Sequence, residues 1–138
     1  MKIKLHKKYI SQNSKPYFIA EISANHNGSL KNAKKLILTA KLNGADAVKL
    51  QTYEEDAMTI KSKSKKFLIK DGIWKGYYLW DLFKKAKTPY NWHKSLFKYA
   101  KKINITCFST PFDEKAVDIL ESVGCPFYKI ASYEMDCL

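Results

Sequence analysis

The sequence predicts an α/β fold in which parallel strands are joined by crossover helices, and three observations carry that expectation. Short apolar runs recur at intervals of roughly thirty residues, the rhythm of strands separated by helical crossovers. Between them lie stretches whose apolar residues fall at i, i+3 and i+4. Two of those stretches open on a capping side chain, Ser29 or Asp113, and close on a glycine, Gly44 or Gly124.

Taken in order, a basic lead-in, "MKIKLHKKYISQNSK", precedes a first strand, "YFIA" (17–20). "SLKNAKKLILTAKLNGA" starts at Ser29, places apolar residues at 33, 36, 37 and 40, and stops at Gly44. It reads as an amphipathic helix of about four turns. "DAVKLQTY" (46–53) is a second strand. A long insertion follows, polar and then aromatic, whose second half from Tyr78 to Lys87 is helical. "PYNWHKSLFKYAKKINI" is a further helix, with Pro89 near its start and apolar positions at 92, 96, 97 and 100. "ITCFST" (105–110) is a third strand, "DEKAVDILESVGC" a helix capped by Asp113, and "FYKIAS" (127–132) a fourth strand.

Two architectures accommodate this alternation. One is a doubly wound open sheet. The other is a β/α barrel, which needs eight strands and roughly 250 residues, so that four strands are half of one. An open sheet would normally finish with a helix over its last strand, and the six residues after Ser132 are too few for that.

Bulk properties narrow the function classes. With 138 residues and 46% apolar content the chain fits one domain with a real core. No apolar run approaches the ~18 residues of a membrane span, and the basic N-terminus lacks the apolar centre of a signal peptide. A cytoplasmic location is the expectation. Cys107, Cys125 and Cys137 form no close metal pair, and three cysteines suit no disulfide framework. Two of them flank or sit in strand-like segments and read as small buried thiols, consistent with a reducing compartment. The net charge of +12 is the balance of 25 lysines, with no arginine, against 13 acidic residues. Nucleic-acid sites lean on the planar, bidentate arginine side chain, so the charge argues for anions in general and not for a nucleic-acid partner. Several of these lysines lie in pairs, Lys34-Lys35, Lys65-Lys66, Lys84-Lys85 and Lys101-Lys102, and for most of the 25 a solvated surface is the ordinary fate.

The chemistry gathers at the strand ends. The first strand leads into Glu21, Ser23, Asn25 and His26; the second carries Lys49, Gln51 and Tyr53. The third ends in Ser109 and Thr110, and the fourth holds Lys129, Ser132 and Glu134. In a parallel β/α fold these C-terminal ends share one face, where ligands bind. Lys49 in "AVKLQ" and Lys129 in "FYKIAS" sit in apolar strands, where an unpaired ammonium is costly. They could pair with Glu21 or Glu134, form a Schiff base, or face a bound phosphate and carboxylate together with neighbouring hydroxyls. Glu21 is either a lysine partner or a base for a water or hydroxyl proton. His6 and His93 read as structural. No P-loop or dinucleotide fingerprint is present.

Three blocks carry a resemblance. "AEISANHNGSLKNAKKLILTAKLNGADAVKLQTY" and "FSTPFDEKAVDILESVGCPFYKIASYE" resemble the sialic acid (nonulosonic acid) synthase family. "WKGYYLWDLFKKAKTPYNWHKSLFKYA", between them, is most similar to its pseudaminic acid branch. The resemblance implies the amino-terminal half of a (β/α)8 TIM barrel, one partial synthase domain over residues 1–138. The later strands and a small antifreeze-like C-terminal domain are then absent, and the chain alone should be inactive.

The activity so implied is a C–C bond-forming transfer. Phosphoenolpyruvate condenses with an amino-sugar aldehyde, 2,4-diacetamido-2,4,6-trideoxy-altrose, to give pseudaminic acid and phosphate. A legionaminate or N-acetylneuraminate synthase is the alternative within the class; a Schiff-base aldolase or a non-catalytic anion-binding or nucleic-acid-binding module lies outside it. By the same resemblance Glu21, Lys49 and Lys129 are catalytic, the lysines holding phosphate and carboxylate and Glu21 handling the water at C2. Gln51, Thr110, Ser132 and Glu134 match residues around the substrates; Ser109, Asn25, His26 and Tyr53 are further candidates on the same rim. None of these is a metal ligand. The expected Mn2+ or Mg2+ is held by histidines of the later strands, and the full-length form is expected to be a homodimer acting on soluble substrates, with no membrane partner.

Overall fold

The computed structural model describes residues 2–6 and 8–136, Asp136 by its backbone alone, so that Cys137 lies outside the described residues. The basic lead-in, to which the sequence assigns no element, forms an antiparallel hairpin of β1 (Lys2–Leu5) and β2 (Lys8–Ser11), in register from Lys2 opposite Ser11 to Leu5 opposite Lys8. His6, at a left-handed φ of +51°, helps to turn the chain. The hairpin is pinned to the domain through Asp46, whose carboxylate takes the Lys8 ammonium and, at 2.8 Å, the Phe18 N–H. Those two donors, Lys8 first, hold the Asp46 carboxyl below the usual carboxylate range.

The central sheet is parallel, in the order β3 (Ile19–Glu21), β4 (Ala47–Thr52), β5 (Thr106–Pro111). Helix α1 (Leu30–Leu42) crosses from β3 to β4. Between β4 and β5 run the short α2 (Glu55–Met58), α3 (Leu79–Ala86) and α4 (His93–Lys102), the last preceded by a 3-10 turn over Tyr90–Trp92. Helix α5 (Glu114–Ser122) follows β5. Ser29 caps α1 by accepting from the Asn32 N–H, and Asp113 caps α5 by accepting from the Ala116 N–H.

The three crossover helices also end alike. Past α1, α4 and α5 the residues Gly44, Asn104 and Gly124 take φ of +84°, +55° and +70°. The next amide in each case reaches back five residues, Ala45 to Ala40, Ile105 to Ala100 and Cys125 to Leu120. This Schellman closure needs a left-handed residue, which glycine or asparagine supplies at least cost.

The core lies between the sheet and these helices. Val48 and Leu50 of β4 and Cys107 of β5 pack against Ile37 of α1, Leu96 and Ala100 of α4, and Leu120 of α5, all nearly or fully excluded from solvent. Fully burying each large aliphatic side chain contributes about 1.5–3 kcal/mol, so this layer orders the sheet.

The fourth strand is a correction. "FYKIAS" makes a single parallel bridge, Ser109 to Tyr128, and at Ser132 the chain turns into a 3-10 segment, Ser132–Asp136. Pro126 supplies no N–H at the start of this stretch, and the turn removes its end, so pairing is confined to the middle.

Candidate functional site

Register decides which side chains can meet. In a parallel sheet, paired residues project to the same face and neighbours along a strand to opposite faces. Glu21 pairs with Lys49, Lys49 with Phe108, and Gln51 with Thr110. Val48, Leu50 and Cys107, which alternate with them, fill the helix-side core. Glu21, Lys49, Gln51, Phe108 and Thr110 therefore share the face turned away from the helices. The Ser109–Tyr128 bridge extends the register: Phe127 falls beside Phe108, ring centroids 4.4 Å apart. Lys129 falls beside Thr110, its amide donating to the Ser109 carbonyl at 3.2 Å. Tyr128, between them, packs toward the core cluster.

On this face Lys49 is largely buried and ion-paired with the more exposed Glu21 carboxylate. Ser23, at a left-handed φ of +41°, turns its N–H onto Glu21 Oε1 at 3.1 Å and donates its hydroxyl to Gln51 Oε1 at 2.8 Å. Ser23 thus links the ends of β3 and β4, a role that "EIS" gives no sign of without the register. Thr110 is 1% exposed, and its Oγ1 has no hydrogen-bond partner. A buried hydroxyl left unpaired costs about 1–3 kcal/mol, which a bound acceptor would relieve. Lys129 is exposed, against the burial expected of it, so that Lys49, Gln51 and the unsatisfied Thr110 hydroxyl on this face, with Lys129 at its edge, suit a small, multiply charged anion.

Other candidates stand elsewhere. Ser109 faces the helices: it is fully buried, with its hydroxyl 2.7 Å from Thr52 Oγ1. Its expected place on the rim is corrected by the parity of the strand, since Thr110 takes the outer face and Ser109 must take the inner one. Asn25 folds the loop after β3, its amide N–H and its side-chain Nδ2 both donating to the Ile22 carbonyl at 3.0 Å.

His26 is 1% exposed, accepts the Gly28 N–H at Nδ1 (3.1 Å), and meets the Trp92 ring edge-on at 5.3 Å. Burial lowers its pKa, so it is a neutral turn-forming side chain. Tyr53, next after β4, is wedged between Phe83 and Phe112, and burial pushes its phenol up to about 12. Ser132 is exposed in the last turn, and Glu134 keeps one buried oxygen, Oε2, without a hydrogen bond.

The loops above the strands are tied down by charge. Lys87 pairs with Glu54 and, at 2.6 Å, with Glu55, just past β4. The Tyr90 hydroxyl donates to both oxygens of Asp113, at 2.9 and 3.1 Å. A cleft of about 640 Å³, lined by His6, Lys41, Asp46, Lys101 and Asn104 among others, lies at the other end of the strands. Chemistry in parallel β/α folds belongs to the C-terminal ends, so the rim and not this cleft is the candidate site. Among the described residues no group of three or more His, Cys, Asp or Glu side chains is arranged to hold a metal ion. None of the described helices is long and apolar enough to cross a membrane.

Comparison with known proteins bears on the family and the fold. The chain is 47% identical over 120 residues to the pseudaminic acid synthase of Helicobacter pylori, covering 87% of this chain and 35% of that protein. It is 48% identical over 120 residues to the pseudaminic acid synthase of Campylobacter jejuni serotype O:2, with the same coverage. It thus spans about a third of the length of these relatives. A crystal structure of N-acetylneuraminic acid synthetase from Leptospira borgpetersenii, in complex with citrate, superposes with a TM-score of 0.79 at 28% identity, over 98% of this chain and 42% of that one. The three-stranded parallel sheet with its crossover helices is part of such an α/β barrel. Residues 36–138, from the middle of α1 through β4, β5 and the Lys129 segment, match the model of one family, and by that match the chain belongs to the NeuB family.

Proposed function

We propose that the protein is the amino-terminal part of a pseudaminic acid synthase, condensing phosphoenolpyruvate with 2,4-diacetamido-2,4,6-trideoxy-altrose and releasing phosphate. One observation supports the reading: Lys49, Gln51 and the unpartnered Thr110 hydroxyl share one sheet face, and the register of the Ser109–Tyr128 bridge sets the exposed Lys129 beside Thr110. Two ammonium groups meet the phosphate and carboxylate of phosphoenolpyruvate, while Thr110 donates to one of their oxygens. Ser132 and Glu134, one short turn beyond Lys129, complete the rim. Glu21, held by Lys49 and the Ser23 N–H, is the base for the water that adds at C2 after the enol carbon has attacked the aldehyde.

The divalent ion implied for the reaction finds no donor set among the described residues. Both buried histidines have other work, His26 in its turn and His93 behind the sheet. The proposal puts the ion's ligands in later barrel strands. The likeness to two pseudaminic acid synthases favours that branch over legionaminate or N-acetylneuraminate synthesis. The cytoplasm, as the source of phosphoenolpyruvate, and a homodimer of the full-length form belong to the same proposal.

The test is phosphate release by the complete enzyme from phosphoenolpyruvate with each of three aldehydes: the diacetamido-trideoxy-altrose, its legionaminate counterpart and N-acetylmannosamine. Turnover with the first is expected. Turnover only with N-acetylmannosamine overturns the branch, and turnover with none overturns the reaction.

A further inference from the structure

Behind the sheet, on the face opposite the proposed substrate, three fully buried side chains from three elements form one chain of hydrogen bonds. His93 opens α4, Thr52 ends β4 and Ser109 lies in β5, each 0% exposed. His93 Nδ1 lies 3.2 Å from the carbonyl oxygens of both Pro89 and Tyr90, which can only accept, so Nδ1 carries the ring proton. Nε2 is then an acceptor and takes the Thr52 hydroxyl at 2.7 Å. With its proton spent there, Thr52 Oγ1 accepts from Ser109 at 2.7 Å. Every proton in the relay has one possible direction, and Thr52 and Ser109 are held at a fixed separation.

The place of this clamp gives it a function. The residue before Thr52 is Gln51 and the residue after Ser109 is Thr110, register partners that project to the substrate face. At this end the backbone also joins the two strands, the Phe112 N–H donating to the Thr52 carbonyl at 3.2 Å. From this we infer that His93, acting through Thr52 and Ser109, is a positioning residue that sets the spacing of Gln51 and Thr110 for the anion, an inference that rests on the function proposed above. The relay adds a side-chain tie to the backbone bond between Phe112 and Thr52.

Calorimetric titration of the protein with phosphoenolpyruvate, well below the melting transition, tests this in Thr52→Val and Thr52→Ser. Valine keeps the shape and loses both bonds of the relay; serine keeps the relay. Loss of one or two buried hydrogen bonds is expected to weaken binding about tenfold in Thr52→Val, with recovery to within about twofold in Thr52→Ser. Long-range proton–nitrogen NMR of the wild type should show His93 protonated at Nδ1.

Unchanged affinity in Thr52→Val, or equal loss in both variants, overturns the positioning role and leaves the proposed function standing. A wild type that does not bind phosphoenolpyruvate overturns the function and the positioning role with it. Should Thr52→Val fail to fold, Ser109→Ala removes only the outer donor; about threefold weaker binding is then expected, and unchanged binding overturns the inference.

Discussion

Lys49 of β4 closes on the carboxylate of Glu21, its register partner at the end of β3. The cation proposed to hold substrate and the base proposed to handle water therefore restrain each other across two strands. Their roles separate on mutation. Lys49→Met should weaken phosphoenolpyruvate binding at least tenfold, the scale of a charge-assisted hydrogen bond. Glu21→Gln should leave binding within about threefold while phosphate release by the complete enzyme is lost. Calorimetry beside a phosphate assay reads both, and an equal loss of binding in the two variants would contradict the assignment.

Acid should weaken the fold through its buried histidines. His26 and His93 are both held neutral by burial, with pKa values below the ordinary 6.5. A group with a depressed folded pKa lets the unfolded chain bind more protons once the pH falls below that ordinary value. Stability should therefore be level above about pH 6.5 and decline below it. Urea midpoints between pH 5 and 8 measure this, and His93→Gln should flatten part of the slope.

Asp113 joins two elements, since it accepts from the Ala116 N–H at 2.6 Å as the cap of α5 and from the Tyr90 hydroxyl. Asp113→Ala should cost about 1–2 kcal/mol, as the loss of a cap does. Asp113→Asn keeps an acceptor and should lose much less. Thermal or urea unfolding of the two variants distinguishes them.

The helix ends are testable at Gly44 and Gly124, where a Cβ meets no atom within 4 Å but the backbone is left-handed. Substitution by alanine should cost about 1–2 kcal/mol at either position through backbone conformation alone. Asparagine, which the chain itself uses at Asn104, should cost less in the same unfolding measurement.

Much of this molecule was legible in its sequence because the relevant physics is local. Ser29, Asp113, Gly44 and Gly124 mark helix ends through their own backbone and side chains, and the structure finds all four in those roles. The apolar runs fixed β4 and β5 to within a residue or two. Likewise Lys49 and Gln51, two apart on one strand, had to share a face whichever face it was.

Pairing between strands decided the rest. Ser109 and Thr110 are adjacent hydroxyls, and only the register with β4 sends the first to the helix layer and the second to the opposite face, where the substrate is proposed to bind. The sequence names His93 without showing that it meets Thr52, 41 residues away. The same holds for the hairpin: Lys8 and Asp46 lie 38 residues apart and become partners only once Phe18 has been laid against β4. Composition and spacing named the residues from which a site could be built; the long-range contacts of the folded sheet decided which atoms face one another, because side-chain direction alternates with every residue and one step of register reverses it.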